Sequence, residues 1–269
     1  MGLLIFSHGN SFPASTYGVM TASLKKRGFK VKAIEKFGHD SNYPVSDNWT
    51  HLVQQLADFT RRESDKAGEA ATLVGHSLGG ILSLMCAARH PAIVRGLVMV
   101  DSPLIGGWRA GALGAIKSTG TVGHVSPGVV SQRRKNSWDS VDAAFDFFKT
   151  KRSFGAWDDA VLRDYVEHGT ELHNGKRVLC FSREVETQIY NTLPHNLDSL
   201  LRRKPLQCPA AFIGGLQSAE MQRIGTSLTE KLVKGRMQWL DGTHLFPMEK
   251  PLATAAAIET AIRGFNNNL

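Results

Sequence analysis

Three cysteines are all that this chain of 269 residues contains, and they lie far apart in the sequence. An odd number of scattered cysteines argues against a disulfide framework, so we expect reduced thiols and a cytoplasmic location. Long apolar runs are also missing, since none approaches the roughly 20 residues that a transmembrane helix needs. The apolar run at residues 3–6 is too short for a signal peptide, and no basic stretch precedes it. We therefore expect no membrane span.

Concentrated charge is equally scarce. The formal net charge of +8 would be compatible with a nucleic-acid partner. The excess positive charge is, however, spread over the chain, and the densest basic clusters are only three residues long. Such triplets are typical of solvated helix faces and turns. The histidines and cysteines show neither zinc-finger nor other metal-ligand spacing. We expect no nucleic acid and no metal, and homo-oligomerisation stays open.

Short apolar strand patterns alternate with helical patterns at both ends of the chain. The strand patterns lie at residues 3–6, 29–34, 71–74, 94–100, 210–213 and 237–240. This alternation predicts an α/β fold with a mostly parallel central sheet of about six strands, flanked by helices on both faces. Because the first strand pattern opens the chain, we expect every strand to be parallel and the strand at 29–34 to lie at a sheet edge, where its lysines oppose further pairing.

The pattern breaks between residues 105 and 205, where short helices and glycine-rich turns replace it. We expect residues 1–104 and 206–269 to form the core and residues 105–205 to form a helical cap before the penultimate strand. A cap would cover the carboxyl edge of the sheet, where ligands bind in such folds. Aromatic residues are frequent in the segment, and we expect one or two of them to line an apolar pocket. They include Trp108, Phe148, Trp157, Tyr165 and Tyr190.

The most informative motif is Gly75-His76-Ser77-Leu78-Gly79, between an apolar strand and an apolar helix. This pattern is typical of a nucleophile elbow, in which a sharp strand-to-helix turn exposes the serine hydroxyl. Side chains at Gly75 and Gly79 would collide with neighbouring backbone in so tight a turn. The alternative is an ordinary serine in a glycine-rich turn. The strand before the motif and the helix after it favour the nucleophile elbow over this alternative.

Three more elements lie at strand ends elsewhere in the chain. His8-Gly9-Asn10 comes after the first strand, before the elbow, whereas Asp101 comes after the fourth strand and Gly242-Thr243-His244 after the last. With the elbow, they make the chain resemble the α/β-hydrolase fold family over residues 1–103 and about 206–269. The resemblance implies Ser77 as nucleophile and His244 as general base, with the backbone N–H groups of Asn10 and Leu78 as oxyanion hole. It implies no cofactor.

The acid departs from the commoner family pattern, which has an aspartate where this chain has Ser218. Asp101 ends a strand, in a position that some members use, and Glu220 lies two residues beyond the usual position. We rank Asp101 first and Glu220 second as the acid that orients His244. The alternative for Asp101 is a structural turn cap.

The resemblance implies a serine hydrolase that cleaves a small to medium carboxylic ester, thioester or lactone through an acyl-enzyme on Ser77. Serine in place of aspartate at the elbow argues against epoxide hydrolase and haloalkane dehalogenase chemistry. Two alternatives stay open, a C–C bond hydrolase with the same residues and a non-catalytic small-molecule sensor of the same fold.

Overall fold

The computed structural model describes residues 2–106 and 134–265, and the elements below are numbered within these ranges. The strands are β1 (Leu3–Ser7), β2 (Lys30–Ala33), β3 (Ala71–His76), β4 (Val94–Val100), β5 (Ser137–Trp138), β6 (Thr170–His173), β7 (Lys176–Leu179), β8 (Ala210–Gly215) and β9 (Met237–Leu240). Six of them form the central sheet in the order β2-β1-β3-β4-β8-β9, and every pairing is parallel. The predicted six-stranded parallel sheet with β2 at one edge is confirmed.

Helices cover both faces of this sheet. They are α1 (Gly18–Lys26), α2 (Thr50–Ala67), α3 (Leu78–Arg89), α4 (Val141–Lys149), α5 (Asp159–His168), α6 (Arg183–Asn191), α7 (Leu197–Arg203), α8 (Ala219–Ile224), α9 (Ser227–Val233), α10 (Phe246–Glu249) and α11 (Pro251–Arg263). Short 3-10 turns lie at Ala14–Tyr17, Asp47–Trp49 and Pro91–Ile93. No helix among the described residues is long and apolar enough to cross a membrane.

The alternation of side chains along each strand divides the core into two layers. Leu3 and Ile5 of β1 face the layer that contains α2 and α3, whereas Leu4 and Phe6 face the layer of α1 and α11. Successive strand residues point to opposite faces, so a strand covered on both faces must be apolar throughout. Every residue of β1 except Ser7 is indeed apolar, and all five are buried.

The order of strands reverses between β1 and β3, because the chain builds β2 on one side of β1 and all later strands on the other. Their carboxyl ends are level, since Ser7 pairs with Gly75 and Gly75 with Met99. Loops leaving such a switch point diverge and leave a crevice at the carboxyl edge, where ligands bind in open α/β sheets. The loops after β1 and β3 carry the sequence motifs singled out above.

The segment between β4 and β8 contains the predicted short helices α4, α5 and α6 and one further helix, α7, among its described residues. Its residues 107–133 lie outside the described residues. It also contains a three-stranded antiparallel sheet, β5-β7-β6, which the sequence interpretation omitted. A signal for it was present. Asn174 and Gly175 join β6 to β7 with φ values of 49° and 76°, and Asn-Gly is the preferred dipeptide of tight hairpins because both positions need positive φ.

Candidate active site

Ser77 lies at the turn between β3 and α3, with φ 51° and ψ −116°. Few residues other than glycine adopt such a conformation, and it costs about 1–3 kcal/mol. A methyl group on Gly75 would overlap the backbone of Gly79, and one on Gly79 would overlap the carbonyl of Ser7. The sharp turn that the glycine pattern predicts is therefore present, and only glycine fits on both sides of the serine.

His244 lies in the loop between β9 and α10, and it joins Ser77 to Asp101. Its Nε2 is 3.0 Å from Ser77 Oγ, and its Nδ1 is 2.6 Å from Asp101 Oδ2. A carboxylate can only accept hydrogen bonds, so Nδ1 carries the proton and donates it. The lone pair on Nε2 then faces the serine hydroxyl, and this arrangement can take a proton from a serine that attacks a carbonyl.

Asp101 follows β4 with φ 41° and is completely buried. Buried carboxylates need donors to offset their lost hydration. Besides His244, Asp101 accepts hydrogen bonds from the Gly215 N–H at 2.6 Å and from the Ser218 hydroxyl at 2.5 Å. By contrast, Glu220 is half exposed, and its Oε2 is 4.0 Å from His244 Nδ1.

The loop of residues 8–12 after β1, called the β1 loop below, is held by the imidazole of His8. Phe37 N–H donates to His8 Nε2 at 2.9 Å, so His8 Nδ1 carries the proton and donates to the Gly9 carbonyl at 2.8 Å. Burial lowers the pKa of His8 to about 4, which keeps the ring neutral. A trans peptide is planar, so fixing the Gly9 carbonyl directs the Asn10 N–H the opposite way.

A cavity of about 320 Å³ opens beside Ser77. Its polar lining comes from Asn10, Ser77, Glu220, Arg223 and His244, and its other lining residues are Trp49, Leu78, Ile81, Pro103, Ile105, Ile189, Tyr190, Leu193, Pro194, Leu197 and Ile224. Leu78 is the first residue of α3, where a backbone N–H has no acceptor within the helix. The cavity is thus mostly apolar, and Ser77 and His244 contribute to its lining.

One wall of this cavity comes from the segment between β4 and β8. Ile189 and Tyr190 belong to α6. The hydrogen bonds that hold this helix to the core include Asn10 Nδ2 to the Glu186 carbonyl and Trp49 Nε1 to the Ile189 carbonyl, each at 3.1 Å. Burial, and then the nearby Glu186, raise the pKa of Tyr190 to about 12, so the phenol keeps its proton. The wall beside Ser77 is therefore neutral.

A family model described as the alpha/beta hydrolase family matches residues 4–257. The chain belongs to this family.

Several relatives of this chain are known. A serine hydrolase-like protein of Dictyostelium discoideum is 22% identical over 267 residues, covering 91% of this chain and 70% of that protein. The monoglyceride lipase of Rattus norvegicus is 29% identical over 107 residues, covering 38% of this chain and only 35% of the lipase. Among solved structures, E-2-(acetamidomethylene)succinate hydrolase superimposes with a TM-score of 0.76 at 22% identity, covering 98% of this chain and 92% of that one. At that identity, the likeness concerns the fold alone.

The structure brings together the side chains of Ser77, His244 and Asp101 that the sequence singled out. Asn10 and Leu78 line the same cavity. Glu220 also lines it but lies beyond hydrogen-bond distance of His244. Within the described ranges, no group of three or more His, Cys, Asp or Glu side chains is placed to hold a metal ion.

Sequence reasoning missed several residues around the site. Ser218 was identified only as an unexpected residue in the usual acid position, and the structure shows its hydroxyl bonded to Asp101. No sequence pattern indicated that Trp49 lines the cavity, because it lies far from every motif in the sequence. Of the aromatic residues proposed for the pocket, Tyr190 lines it, Trp108 lies outside the described residues, and the others pack in the aromatic cluster around Phe12.

Proposed function

We propose that this hydrolase cleaves carboxylic esters with an apolar acyl or alcohol group, through an acyl-enzyme on Ser77. The observation that carries the proposal is the hydrogen-bonded series Ser77–His244–Asp101, of which Ser77 and His244 line a mostly apolar cavity. Asp101 is the acid, because it is completely buried and its Oδ2 lies 2.6 Å from His244 Nδ1.

In the first half-reaction, Ser77 Oγ forms a bond with the carbonyl carbon of the ester while its proton passes to His244 Nε2. The electron pair of the carbonyl bond moves to oxygen, giving a tetrahedral oxyanion. His244 then returns the proton to the leaving alcohol as the C–O bond breaks, and the acyl group stays on Ser77. Asp101 holds the ring in position and stabilises the imidazolium that forms between these steps.

The oxyanion needs preorganised donors, and we assign this role to the backbone N–H groups of Leu78 and Asn10. Leu78 begins α3, so its N–H also lies at the positive end of the helix dipole. The Asn10 N–H belongs to the peptide whose carbonyl is fixed by His8. Donors held in advance lower the barrier because they need no reorganisation when charge develops, and one such donor contributes about 3–4 kcal/mol.

In the second half-reaction, water replaces the alcohol. His244 Nε2 takes a proton from the water as its oxygen attacks the acyl carbon, and the same two N–H groups hold the second oxyanion. Collapse breaks the bond to Ser77 Oγ, which recovers its proton from His244, and the carboxylic acid leaves. The chain's own residues supply every proton transfer in this cycle.

The cavity supports a substrate with an apolar portion. Ile81, Ile189 and Leu197 line it, and its volume of about 320 Å³ suits a small to medium substrate. The names of two relatives, a monoglyceride lipase and a serine hydrolase-like protein, agree with ester cleavage.

The decisive experiment is labelling with a fluorophosphonate, read by intact mass, together with hydrolysis of p-nitrophenyl acetate, butyrate and octanoate. Ser77→Ala should lose both the label and the turnover. Ser83→Ala is the matched control, since Ser83 is a buried serine of α3 whose hydroxyl has no hydrogen-bond partner among the described residues. It should keep both.

Labelling that persists in Ser77→Ala would place the reactive nucleophile elsewhere and refute the proposal. A wild-type protein that binds ester analogues, seen as a rise in Tm, but neither labels nor turns over would favour the sensor alternative.

A further inference from the structure

Two buried side chains, Tyr17 and His76, connect three loops that border the cavity. The Gly9 N–H donates to the Tyr17 hydroxyl at 3.0 Å, and this hydroxyl lies 2.7 Å from His76 Nδ1. On its other side, His76 Nε2 lies 2.9 Å from the backbone carbonyl of His244. Both side chains are about 1% exposed, so water does not compete for these bonds.

The directions of these bonds follow from their ends. The His244 carbonyl can only accept, so His76 Nε2 carries the ring proton and donates it. Nδ1 therefore has a lone pair and accepts from the Tyr17 hydroxyl, whose oxygen in turn accepts from Gly9 N–H. Burial, and then the charge of nearby His244, lower the pKa of His76 well below its usual value, so the ring is neutral. Only one tautomer of His76 satisfies every group.

Three members of this hydrogen-bonded series, Gly9, His76 and the His244 carbonyl, belong to or adjoin residues of the site. His76 precedes Ser77 in the chain, Gly9 precedes Asn10, and the carbonyl at the far end belongs to His244 itself. We propose that Tyr17 and His76 are positioning residues that hold the nucleophile, the β1 loop and the His244 backbone in one mutual arrangement. The proposal rests on the function proposed above, but its structural part can be tested without turnover.

The packing around Gly9 supports this role. A methyl group on Gly9 would lie 2.9 Å from His76 Nδ1 and 3.1 Å from the Tyr17 hydroxyl. The series therefore passes directly over the β1 loop, at a distance that only glycine allows. His8 donates to the Gly9 carbonyl while Tyr17 accepts from the Gly9 N–H, so both polar backbone groups of Gly9 are fixed by buried side chains.

The neutral state of His76 also suits the proposed reaction. The His76 and His244 rings are 5.0 Å apart between centroids. A second positive charge at that distance would oppose the imidazolium that forms on His244. The bonds from Tyr17 and to the His244 carbonyl hold His76 in the neutral tautomer, so it orients the base without repelling its protonated form.

Tyr17→Phe tests the proposal, with Tyr165→Phe as its matched control. Tyr165 is equally buried, and within the described residues its hydroxyl has no hydrogen-bond partner. In Tyr17→Phe we expect kcat for p-nitrophenyl butyrate to fall roughly 10- to 100-fold with KM within about threefold, because small displacements of reacting groups cost this much. In Tyr165→Phe both should stay within about twofold.

The variants His76→Gln and His76→Leu separate positioning from folding. The Nε2 of glutamine reaches nearly the same point as the Nε2 of histidine, so His76→Gln can still donate to the His244 carbonyl, whereas His76→Leu cannot. We expect His76→Gln to retain several-fold more activity than His76→Leu at equal Tm. Equal activities in the two variants would indicate that the donor has no role.

A readout that needs no turnover is the ¹⁵N spectrum of protein labelled at its histidine rings. In the wild type, His76 should show a protonated Nε2 and an unprotonated Nδ1. Tyr17→Phe should shift the ring signals of His244, and Tyr165→Phe should leave them in place.

If the wild type fails to label with fluorophosphonate, the hydrolase function fails, and these signals alone decide the positioning role. Unshifted His244 signals in Tyr17→Phe would overturn it, as would full activity of that variant in an active enzyme.

Discussion

Ser218 donates its hydroxyl proton to Oδ2 of Asp101 at 2.5 Å, in the position after β8 where the commoner family pattern has its own acid. The carboxylate that contacts His244 comes instead from Asp101 at the end of β4, and Ser218 donates a hydrogen bond to it. The same hydroxyl also accepts from the Met221 N–H as the N-cap of α8. Ser218 therefore serves the helix and the carboxylate together.

We expect Asp101→Asn to lower kcat by roughly 10³- to 10⁴-fold, because an amide in place of the carboxylate favours the wrong tautomer of His244. Ser218→Ala should lower kcat about tenfold, since it removes a charge-assisted hydrogen bond, and should cost about 1 kcal/mol of stability through the lost cap. Steady-state kinetics and urea unfolding measure both.

The matched control for the cap is Ser140→Ala, since Ser140 caps α4 through the Ala143 N–H and does not contact Asp101. It should lose similar stability and keep its kcat. If Ser218→Ala and Ser140→Ala lose activity equally, the hydrogen bond from Ser218 to Asp101 does not contribute to catalysis.

Glu220 is the competing acid, and its geometry predicts a small role. It is half exposed, and solvent screens its charge at 4.0 Å from His244 Nδ1. We expect Glu220→Gln to keep kcat within about threefold of wild type. Glu230→Gln, at an exposed position of α9, controls for the loss of one surface carboxylate. A loss approaching that of Asp101→Asn would assign the acid to Glu220.

The sequence predicted the central sheet well because parallel strands buried on both faces appear as continuous apolar runs, as in β1 and β4. Ser77 and His244 stood out for the same kind of local reason, since each lies in a short pattern at a strand end. The choice between Asp101 and Glu220 depended on loop geometry, which composition does not encode. The partnership of Tyr17 with His76 joins residues 59 positions apart, and no local pattern connects them.

The backbone of Ser77 predicts an unusual response to glycine. Replacing an ordinary helical residue by glycine costs about 1 kcal/mol relative to alanine. At Ser77, with φ 51° and ψ −116°, glycine also relieves about 1–3 kcal/mol of strain. We therefore expect Ser77→Gly to be at least as stable as Ser77→Ala in urea unfolding.

The control pair is Ser83→Gly and Ser83→Ala, at a regular position of the same helix. There, glycine should be the less stable variant by about 1 kcal/mol. The same order in both pairs would mean that the turn at Ser77 is not strained.

Leu193 borders the cavity on the side of the segment between β4 and β8. Leu193→Trp should reduce the space available to a long acyl chain, so we expect kcat/KM for p-nitrophenyl octanoate to fall about tenfold or more while that for the acetate changes little. Leu172→Trp is the control, because Leu172 is 72% exposed on β6 and does not line the cavity. An unchanged chain-length profile in Leu193→Trp would place the acyl group elsewhere.

The neutral, buried His8 predicts how stability changes with pH. Its pKa is about 4 in the folded protein, against an ordinary value of 6.5. Between these values the unfolded chain binds the additional proton, so the free energy of unfolding falls as the pH drops from 6.5 towards 4, by up to about 1.4 kcal/mol per pH unit for this one group. Above pH 6.5 the group no longer affects the slope.

His8→Asn separates this contribution from those of other residues. Asparagine has an amide nitrogen close to the position of Nδ1, so it can still donate to the Gly9 carbonyl, but it cannot titrate. The loss of the acceptor for the Phe37 N–H lowers the free energy of unfolding by the same amount at every pH. His76 is present in both proteins, so its contribution to the slope is the same in both. We therefore measure the free energy of unfolding in urea between about pH 4.5 and 6.5. Its slope against pH should be shallower in His8→Asn, by most of the roughly 1.4 kcal/mol per pH unit that one proton contributes. Parallel slopes would mean that His8 takes up its proton in the folded protein as readily as in the unfolded chain, and the β1 loop would then have to be held by a charged ring.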